Sequence, residues 1–328
     1  MSKILSVSIA AYNVEQYLRE TLDCFVMEKD MEKLEILIVN DGSKDATAEI
    51  ANEYVEKYPN TYKLINKKNG GWGSALNAAF ECATGKYFKQ LDGDDYFKHE
   101  NLPKFLRVLE ETDADMVVTN YYTFEDKTGK VLEKFKCGTA YENNKIAAFE
   151  EMDENITLPM HSLTFKTELL QKNNINITEH CFYTDVEYVI KTCCYVHSCI
   201  FYDFDVYCYR IARAGQSVSK EGYEKHYPEY VKVLTEVLGV YESANVSPRV
   251  KTILRNRIAD MAVYCYDIFC FLDPTTEKKT KIMQIDQKLK NDYPEFYSFT
   301  NKKIKLLRMT NFATYKLLCS YFSKKMTK

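Results

Sequence analysis

Hydrophobic and polar residues alternate along the first 120 positions with two different periods. Short apolar runs, typical of buried strands, occupy residues 4–12, 34–40, 61–66, 86–92 and 115–122. Between them, apolar residues recur every three to four positions, as in amphipathic helices, over residues 14–27, 45–58, 73–84 and 100–112. Strands and helices that alternate across short links predict an α/β fold, a mostly parallel sheet with helices on both faces.

The pattern becomes purely helical after about residue 215. Before that point we expect a hairpin, two helices and a strand, at residues 121–135, 166–174, 184–196 and 198–211. Beyond it, a 3.6-residue period covers residues 223–242, 247–272, 276–292 and the tail. In the second of these helices the apolar residues from Val250 to Leu272 form one stripe. We therefore predict an α/β domain over residues 1–215 and a helical region over residues 216–328.

Composition and charge narrow the class of protein. The 328 residues are 46% hydrophobic and 28% charged, with a net charge of −3, which disfavours a nucleic-acid partner. Eleven cysteines at irregular spacing, with no secretory leader before them, predict free thiols in a reducing cytoplasm. No run approaches 18 uncharged apolar residues, so we expect no membrane-spanning helix.

Polar signals follow three of the predicted strands at the point where each strand ends. Asp41 follows the second strand, a glycine-rich loop at residues 69–73 follows the third, and Asp92, Asp94 and Asp95 follow the fourth. In parallel α/β sheets, ligands bind beyond the carboxyl ends of the strands. Each signal alone is also an ordinary turn signature, but their order and placement predict one shared site.

The acidic cluster suits a metal-assisted diphosphate site. The Asp92-Gly93-Asp94 motif offers hard oxygen ligands to Mg²⁺ or Mn²⁺, which usually takes one or two protein carboxylates and fills its other positions with phosphate and water. Such an ion would offset the repulsion between the acids. Asp41 could accept the imino N–H of a pyrimidine, and the glycines of the loop allow a close approach of backbone to a ligand.

These motifs together resemble those of the inverting family 2 glycosyltransferases, which have the GT-A fold. The resemblance is strong over residues 3–120 and looser over residues 155–220, and it rests on "LEILIVNDGSKDAT", "NGGWGSALNAAFECATGKYFKQLDGDD" and "TDVEY" in this order. It implies transfer of a sugar from a nucleotide-diphosphate donor, a UDP-sugar, to a hydroxyl of a saccharide or lipid-linked acceptor. The implied role is surface polysaccharide or glycoconjugate assembly, with Mn²⁺ or Mg²⁺ as cofactor.

The resemblance also implies a role for each matching residue. Asp185 would be the catalytic base, Asp94 the metal ligand, and Asp92 would face the ribose or the metal shell. The remaining donor-site residues are expected to line the base, the sugar or the diphosphate: Ala10, Ala11, Tyr12, Asp41, Gly71, Trp72, Asn77, Arg210, Arg213, Gln216 and Ser217.

Two positions depart from the family pattern. Leu76 stands where relatives often have an arginine that helps to hold the base, so the selectivity for uridine is left open. Thr184 stands where relatives often have a glutamate beside the base, which keeps Glu187 as an alternative base. His161, near the acceptor side, is expected to be structural.

The C-terminal residues 301–328 predict a further partner, a membrane surface. Residues 301–328 contain eight Lys or Arg, no Asp or Glu, and interleaved apolar residues, which predicts a basic amphipathic helix on the inner face of the plasma membrane. A solvated or partner-bound helix is the alternative, and a homo-oligomer also fits.

Two other functions stay open: a nucleotidyltransferase, although no glycine-rich triphosphate loop lies near the N-terminus, and a catalytically silent subunit.

Overall fold

The structure is a computed structural model that describes residues 2–137, 139, 141–211 and 219–326, with side chains as far as residue 322. It divides into two compact units, Met1–Ala214 and Gly215–Lys328. The division expected from the sequence, between residues 215 and 216, lies in the segment 212–218, outside the described residues.

One mixed sheet organises the first unit. In chain order its strands are β1 (Leu5–Ala11), β2 (Leu34–Asn40), β3 (Tyr62–Asn66), β4 (Tyr87–Asp92), β5 (Tyr96–Phe97), β6 (Met116–Glu125), β7 (Val131–Phe135), β8 (Ala147–Ala148), β9 (Leu163–Lys166) and β10 (Ser198–Ile211). The strand order is β3-β2-β1-β4-β9-β6-β10-β5, with β7 beside β6 and β8 beside β10.

The first four long strands are parallel and place their carboxyl ends at one edge. Strand β1 lies between β2 and β4, and β3 extends the sheet beyond β2. All seven residues of β2 are buried, as its continuous apolar sequence requires. The predicted mostly parallel sheet is confirmed, and β6 and β7 form the expected hairpin. The sequence did not predict β9, a four-residue strand inserted antiparallel between β4 and β6.

Helices cover this sheet at the predicted places. They are α1 (Leu18–Asp23), α2 (Thr47–Lys57), α3 (Trp72–Cys82), α4 (Leu102–Glu111), α5 (Thr167–Lys172) and α6 (Asp185–Cys193). Helix α1 is shorter than the predicted 14–27. The backbone N–H groups of Val14 and Glu15 donate to the side chains of Thr47 and Asp45, so the chain before Leu18 is tied to the loop that leads into α2.

The second unit is helical in its described residues. Its helices are α7 (Lys220–Ser243), α8 (Pro248–Phe271), α9 (Thr276–Asp292), α10 (Pro294–Tyr297), α11 (Lys302–Met309) and α12 (Tyr315–Met326). The stripe from Val250 to Leu272 predicted for α8 is buried. No helix in the described part of the chain carries an apolar stretch long enough to cross a bilayer.

Candidate active site

Asp41 orders the glycine-rich loop. Its carboxylate lies just beyond β2 and accepts hydrogen bonds from the backbone N–H groups of Gly70 at 2.9 Å and Gly71 at 2.8 Å. The Lys67 ammonium adds a third contact at 2.9 Å. Gly71 has φ +83°, a conformation that glycine adopts without the steric strain of a side chain. Asp41 therefore holds the loop in shape, and its contact with a nucleotide base stays a prediction.

Trp72 connects this loop to the acidic cluster. Trp72 is the first residue of α3, and its indole N–H donates to Oδ1 of Asp92 at 2.8 Å. The amide of Gln90 donates to the same oxygen at 3.3 Å. A continuous set of hydrogen bonds thus runs from Asp41 through the loop to Asp92. The polar ends of β2, β3 and β4 meet at one edge of the sheet, as the sequence predicted.

The end of β1 lies between these two acidic turns. The backbone N–H of Asp41 donates to the carbonyl of Ala11 at 2.9 Å, and that of Gly93 donates to the carbonyl of Ala10 at 3.0 Å. Tyr12 follows with a side chain that is 47% exposed. Ala10 and Ala11 therefore join the turns through their backbone, and Tyr12 stands at the rim of the site.

Asp95 anchors the acidic turn to β10. Its carboxylate is buried and accepts hydrogen bonds from the Tyr207 hydroxyl at 2.6 Å and from the backbone N–H of Arg210 at 2.7 Å. The same Tyr207 oxygen accepts the backbone N–H of Asp92 at 3.2 Å. Burial, and next the charges of Asp94 and Asp92, raise the pKa of Asp95 well above its usual range. Asp95 is a support for the turn.

Arg210 also contacts the acidic turn. Its Nε donates to the carbonyl of Asp94 at 2.7 Å, and its two terminal nitrogens bind Asp126 at 2.9 Å and Glu20 at 2.5 Å. Only 5% of Arg210 is exposed. The guanidinium therefore steadies the turn from within the protein, and its contact with a diphosphate stays a prediction. The neighbouring candidates Arg213, Gln216 and Ser217 lie outside the described residues.

Asp185 faces the same cluster from another element. It is the first residue of α6, where the helix dipole favours a negative charge. Burial, then the charge of Asp94, and also that of Asp185 raise the pKa of Asp92 to about 6. Burial and the charges of Asp95, Asp92, Asp94 and Asp185 raise the pKa of Tyr209. Asp92, Asp94 and Asp185 are therefore close enough for their charges to interact.

The segment before Asp185 is fastened to α3 and to the glycine-rich loop. The Asn77 side chain donates to the carbonyl of Ile177 at 2.9 Å and accepts its N–H at 2.8 Å. The N–H of His180 donates to the carbonyl of Gly70 at 2.5 Å. A Cβ on Gly73 would lie 2.4 Å from the carbonyl oxygen of Thr178, so only glycine allows this approach. Asn77 thus positions the segment that carries Asp185, and its predicted donor contact stays a prediction.

Glu187 is a structural residue. It is completely buried, and its Oε1 accepts the N–H and the hydroxyl of Thr178, both at 3.0 Å, and the Lys191 ammonium at 2.7 Å. A carboxylate without exposed surface cannot meet an acceptor hydroxyl. Burial therefore argues against Glu187 as the base, and the role of Asp185 stays a prediction.

Comparison with known proteins places this arrangement in a family. The profile of "Glycosyl transferase family 2" matches residues 6–187. The chain belongs to glycosyl transferase family 2. The family resemblance noted in the sequence is confirmed.

Named relatives support the same family assignment. The chain is 26% identical over 243 residues to glycosyltransferase GlyA of Streptococcus pneumoniae serotype 4, covering 71% of this chain and 34% of GlyA. It is 30% identical over 179 residues to the minor teichoic acid biosynthesis protein GgaB of Bacillus subtilis, covering 54% and 19%. The chain thus spans about a third or less of these relatives.

Structural neighbours confirm the GT-A fold. S. aureus TarS 1–349, solved with UDP-GlcNAc, superposes with a TM-score of 0.68 at 18% identity, over 98% of this chain and 92% of that one. The mannosyltransferase PcManGT from Pyrobaculum calidifontis, solved with GDP-Man and Mn²⁺, gives 0.53 at 13% identity, over 100% and 89%. At these identities the likeness concerns the fold.

His161 is part of the core of this family 2 domain. Its ring stacks on Tyr121 with centroids 5.1 Å apart and lies 4.4 Å from the ring of Tyr209. Burial, and next the charge of Lys89, lower the pKa of His161 to about 3. The Lys89 ammonium donates to the backbone carbonyls of His161 and Leu163, both at 2.9 Å. His161 is therefore neutral and structural, as expected.

Several supporting residues were not predicted. Tyr207 was not singled out from the sequence, and the contacts of Lys67, Glu20 and Asp126 were not foreseen. Their partners lie between 26 and 190 positions away in the chain. The strand alternation of "VYCYRI" could have indicated which tyrosines share a face, but the strand order needed to place Tyr207 beside Asp95 is not readable from that pattern.

Replacing Tyr207 by Phe should loosen the acidic turn. The ring would stay, but the Asp95 carboxylate and the Asp92 N–H would each lose a buried partner, which costs about 1–3 kcal/mol of unfolding free energy. Thermal or urea unfolding measures this loss. Tyr202→Phe is the control, since Tyr202 is a buried tyrosine of the same strand. Equal stability of Tyr207→Phe and Tyr202→Phe would contradict the anchoring role.

Proposed function

We propose that the chain is an inverting glycosyltransferase that moves a sugar from a nucleotide-diphosphate donor, a UDP-sugar, to a hydroxyl of a saccharide or lipid-linked acceptor. The observation that carries this proposal is the pair Asp92 and Asp94 at the end of β4 in a family 2 domain, with Asp185 close enough for its charge to act on Asp92. The teichoic acid role in the name of GgaB supports a part in surface polysaccharide assembly.

The donor assignment rests on the structural neighbours and on the residues at this edge of the sheet. TarS is solved with UDP-GlcNAc and PcManGT with GDP-Man, so the fold accepts both nucleotides. Leu76 is completely buried in α3, so its side chain cannot contact the base. Tyr12, exposed just after β1, the loop at residues 69–73 and Asp41 are then the groups that would select the base.

The acidic turn suits a divalent cation. Asp92 and Asp94 are crowded into one turn, and the pKa of Asp92 is raised to about 6 by burial and by Asp94, a penalty that a bound cation would remove. Among the described residues no group of three or more His, Cys, Asp or Glu could hold a metal ion. Mn²⁺ or Mg²⁺ would therefore be held by Asp94, with Asp92 beside it, and by donor oxygens and water.

Asp185 performs the proton transfer in this proposal. It accepts the proton of the acceptor hydroxyl while that oxygen forms a bond to the anomeric carbon, and the bond from that carbon to the diphosphate oxygen breaks. Attack opposite the leaving group inverts the anomeric centre in one displacement. Trp72 and Gln90 orient Asp92, and Tyr207 and Arg210 keep the acidic turn in place. A bound cation would stabilise the charge on the leaving nucleoside diphosphate.

Cation binding should weaken in mild acid. In the cation-free protein Asp92 binds a proton below about pH 6, and a cation must displace it, so affinity should fall by up to about tenfold per pH unit below that point. Mn²⁺ titrations between about pH 5 and about pH 7.5 measure this. Asp92→Asn should show a flatter profile. An affinity that is constant across this range would contradict the assignment.

Trp72 provides a direct test of the donor site. It is the only tryptophan of the chain and its indole binds Asp92, so its fluorescence reports on this turn. UDP and Mn²⁺ together should produce a saturable change in the Trp72 emission. In Asp94→Asn this change should either be absent or no longer depend on Mn²⁺. No response to UDP, GDP or dTDP, with or without Mn²⁺, would reject the donor site.

The proposed location is the cytoplasm, at the inner face of the plasma membrane. The eleven cysteines at irregular spacing fit a reducing compartment, which supports this location. Nucleotide sugars and a lipid-linked acceptor would meet the enzyme at that membrane face.

A further inference from the structure

Helices α11 and α12 each have one side packed on the second unit. Ile304 and Leu307 of α11 are completely buried, and Tyr315 and Cys319 of α12 are nearly so. The Tyr315 hydroxyl donates to the carbonyl of Phe269 in α8 at 2.9 Å. The inner sides of both helices are thus fixed by packing.

The opposite sides carry apolar side chains that nothing in the described residues covers. Leu306 is 40% exposed, Met309 85%, Leu317 72% and Tyr321 61%. These four lie within 16 positions, although large exposed apolar residues are otherwise scattered over the described chain. In α11 the spacing of Leu306 and Met309, and in α12 that of Leu317 and Tyr321, puts each pair on one face. We call these two faces together the outer face.

The charge of the outer face has a single sign. Lys302, Lys305 and Lys316 are exposed beside the apolar residues, and residues 301–328 contain no Asp or Glu. Two other cations of the segment point inward: Arg308 binds Asp286 at 2.7 Å, and Lys303 binds Asp267. The eight-cation tail read from the sequence therefore contributes fewer charges to the surface than its composition suggests.

We propose that the outer face docks on an anionic lipid surface, with Leu306, Met309 and Leu317 in the headgroup region and the exposed lysines at the lipid phosphates. Apolar residues flanked by lysines, without acids, match the charge and polarity of such an interface. A protein partner that binds the lysines would have to present acidic side chains, and such a surface would not account for the exposed apolar residues. This inference goes beyond the glycosyl transfer proposed above and does not depend on it.

Co-sedimentation of the full chain with lipid vesicles tests the inference without any activity assay. The probes are vesicles of phosphatidylcholine alone and vesicles with about 30% phosphatidylglycerol. The wild type should bind the anionic vesicles at least about tenfold more tightly, and added salt should weaken the binding.

Two matched pairs of variants locate the binding surface. Lys302→Glu/Lys305→Glu/Lys316→Glu should reduce vesicle affinity by at least about tenfold, because each lysine near an anionic surface contributes about fivefold. Lys232→Glu/Lys281→Glu/Lys290→Glu makes the same charge change at exposed lysines of α7 and α9 and should have a much smaller effect.

A second variant and its control test the apolar residues of the outer face. Met309→Ser/Leu317→Ser should weaken binding by at least about tenfold, whereas Val131→Ser/Leu132→Ser, at exposed apolar residues of β7, should not. Thermal unfolding checks that each variant is folded.

Two results would overturn the inference. One is a wild type that does not distinguish anionic from neutral vesicles. The other is an outer-face variant that binds like its control. If Met309→Ser/Leu317→Ser instead dissociates an oligomer of the wild type that ignores vesicles, the face is an interface between copies of the chain.

Discussion

Asp94→Asn should lower the kcat/KM for sugar transfer by about a thousandfold or more, because a bound cation supplies several kcal/mol of stabilisation to the leaving diphosphate. Asn keeps the size of Asp but lacks the negative charge that holds a cation. The turn itself should remain, since Arg210 donates to the backbone carbonyl of Asp94, a group that the Asn variant keeps. The loss should therefore be one of cation affinity and rate, without loss of the fold.

Asp113→Asn is the matched control for Asp94→Asn. Asp113 is an exposed aspartate that pairs with Lys86, away from the acidic turn. It should leave kcat/KM within about twofold of the wild type, since exposed ion pairs contribute little. If Asp94→Asn keeps cation-dependent transfer near the wild-type rate, Asp94 is not the ligand and the acidic turn has another role.

Asp185→Asn should lower kcat by about a hundredfold to ten-thousandfold, the usual contribution of a general base, with little change in donor affinity. Asp185 acts on Asp92 through its negative charge, so removing that charge should leave cation affinity equal or slightly weaker at neutral pH. Trp72 fluorescence measures donor and cation affinity in the same variant. A slow enzyme with an intact donor site is the signature of a lost base.

Glu187→Gln separates the base from its structural neighbour. The buried Glu187 carboxylate accepts hydrogen bonds from Thr178 and Lys191, so this variant should unfold at a lower temperature. It should not selectively lose one step of the transfer reaction. Full activity in Asp185→Asn would contradict the assignment of the base, and activity lost only in a folded Glu187→Gln would move that assignment to Glu187.

Local patterns in the sequence predicted the elements well where burial is continuous or strictly periodic. The bounds of β2, β10 and α9 match the predicted ranges, because their apolar residues contact the core along the whole element. Strand β9 was missed because four residues are too few to show a period.

The candidate site was predicted as a set of residues but not as a set of contacts. Asp41, Trp72 and Asp92 meet as the strand-end argument implied, because parallel neighbours end at the same edge. Gly73 was expected to admit a ligand, and the structure places Thr178 of the same chain there instead. Such contacts join positions about 100 residues apart and depend on the strand order, which local patterns do not contain.

Release of nucleoside diphosphate from a panel of UDP-, GDP- and dTDP-sugars, with and without Mn²⁺, tests the central claim most directly. We predict slow cation-dependent release from one donor, faster with its acceptor, lost in Asp94→Asn and strongly reduced in Asp185→Asn. No release and no nucleotide binding by the folded wild type, with or without a cation, would contradict the assignment of this edge of the sheet as a sugar-nucleotide site.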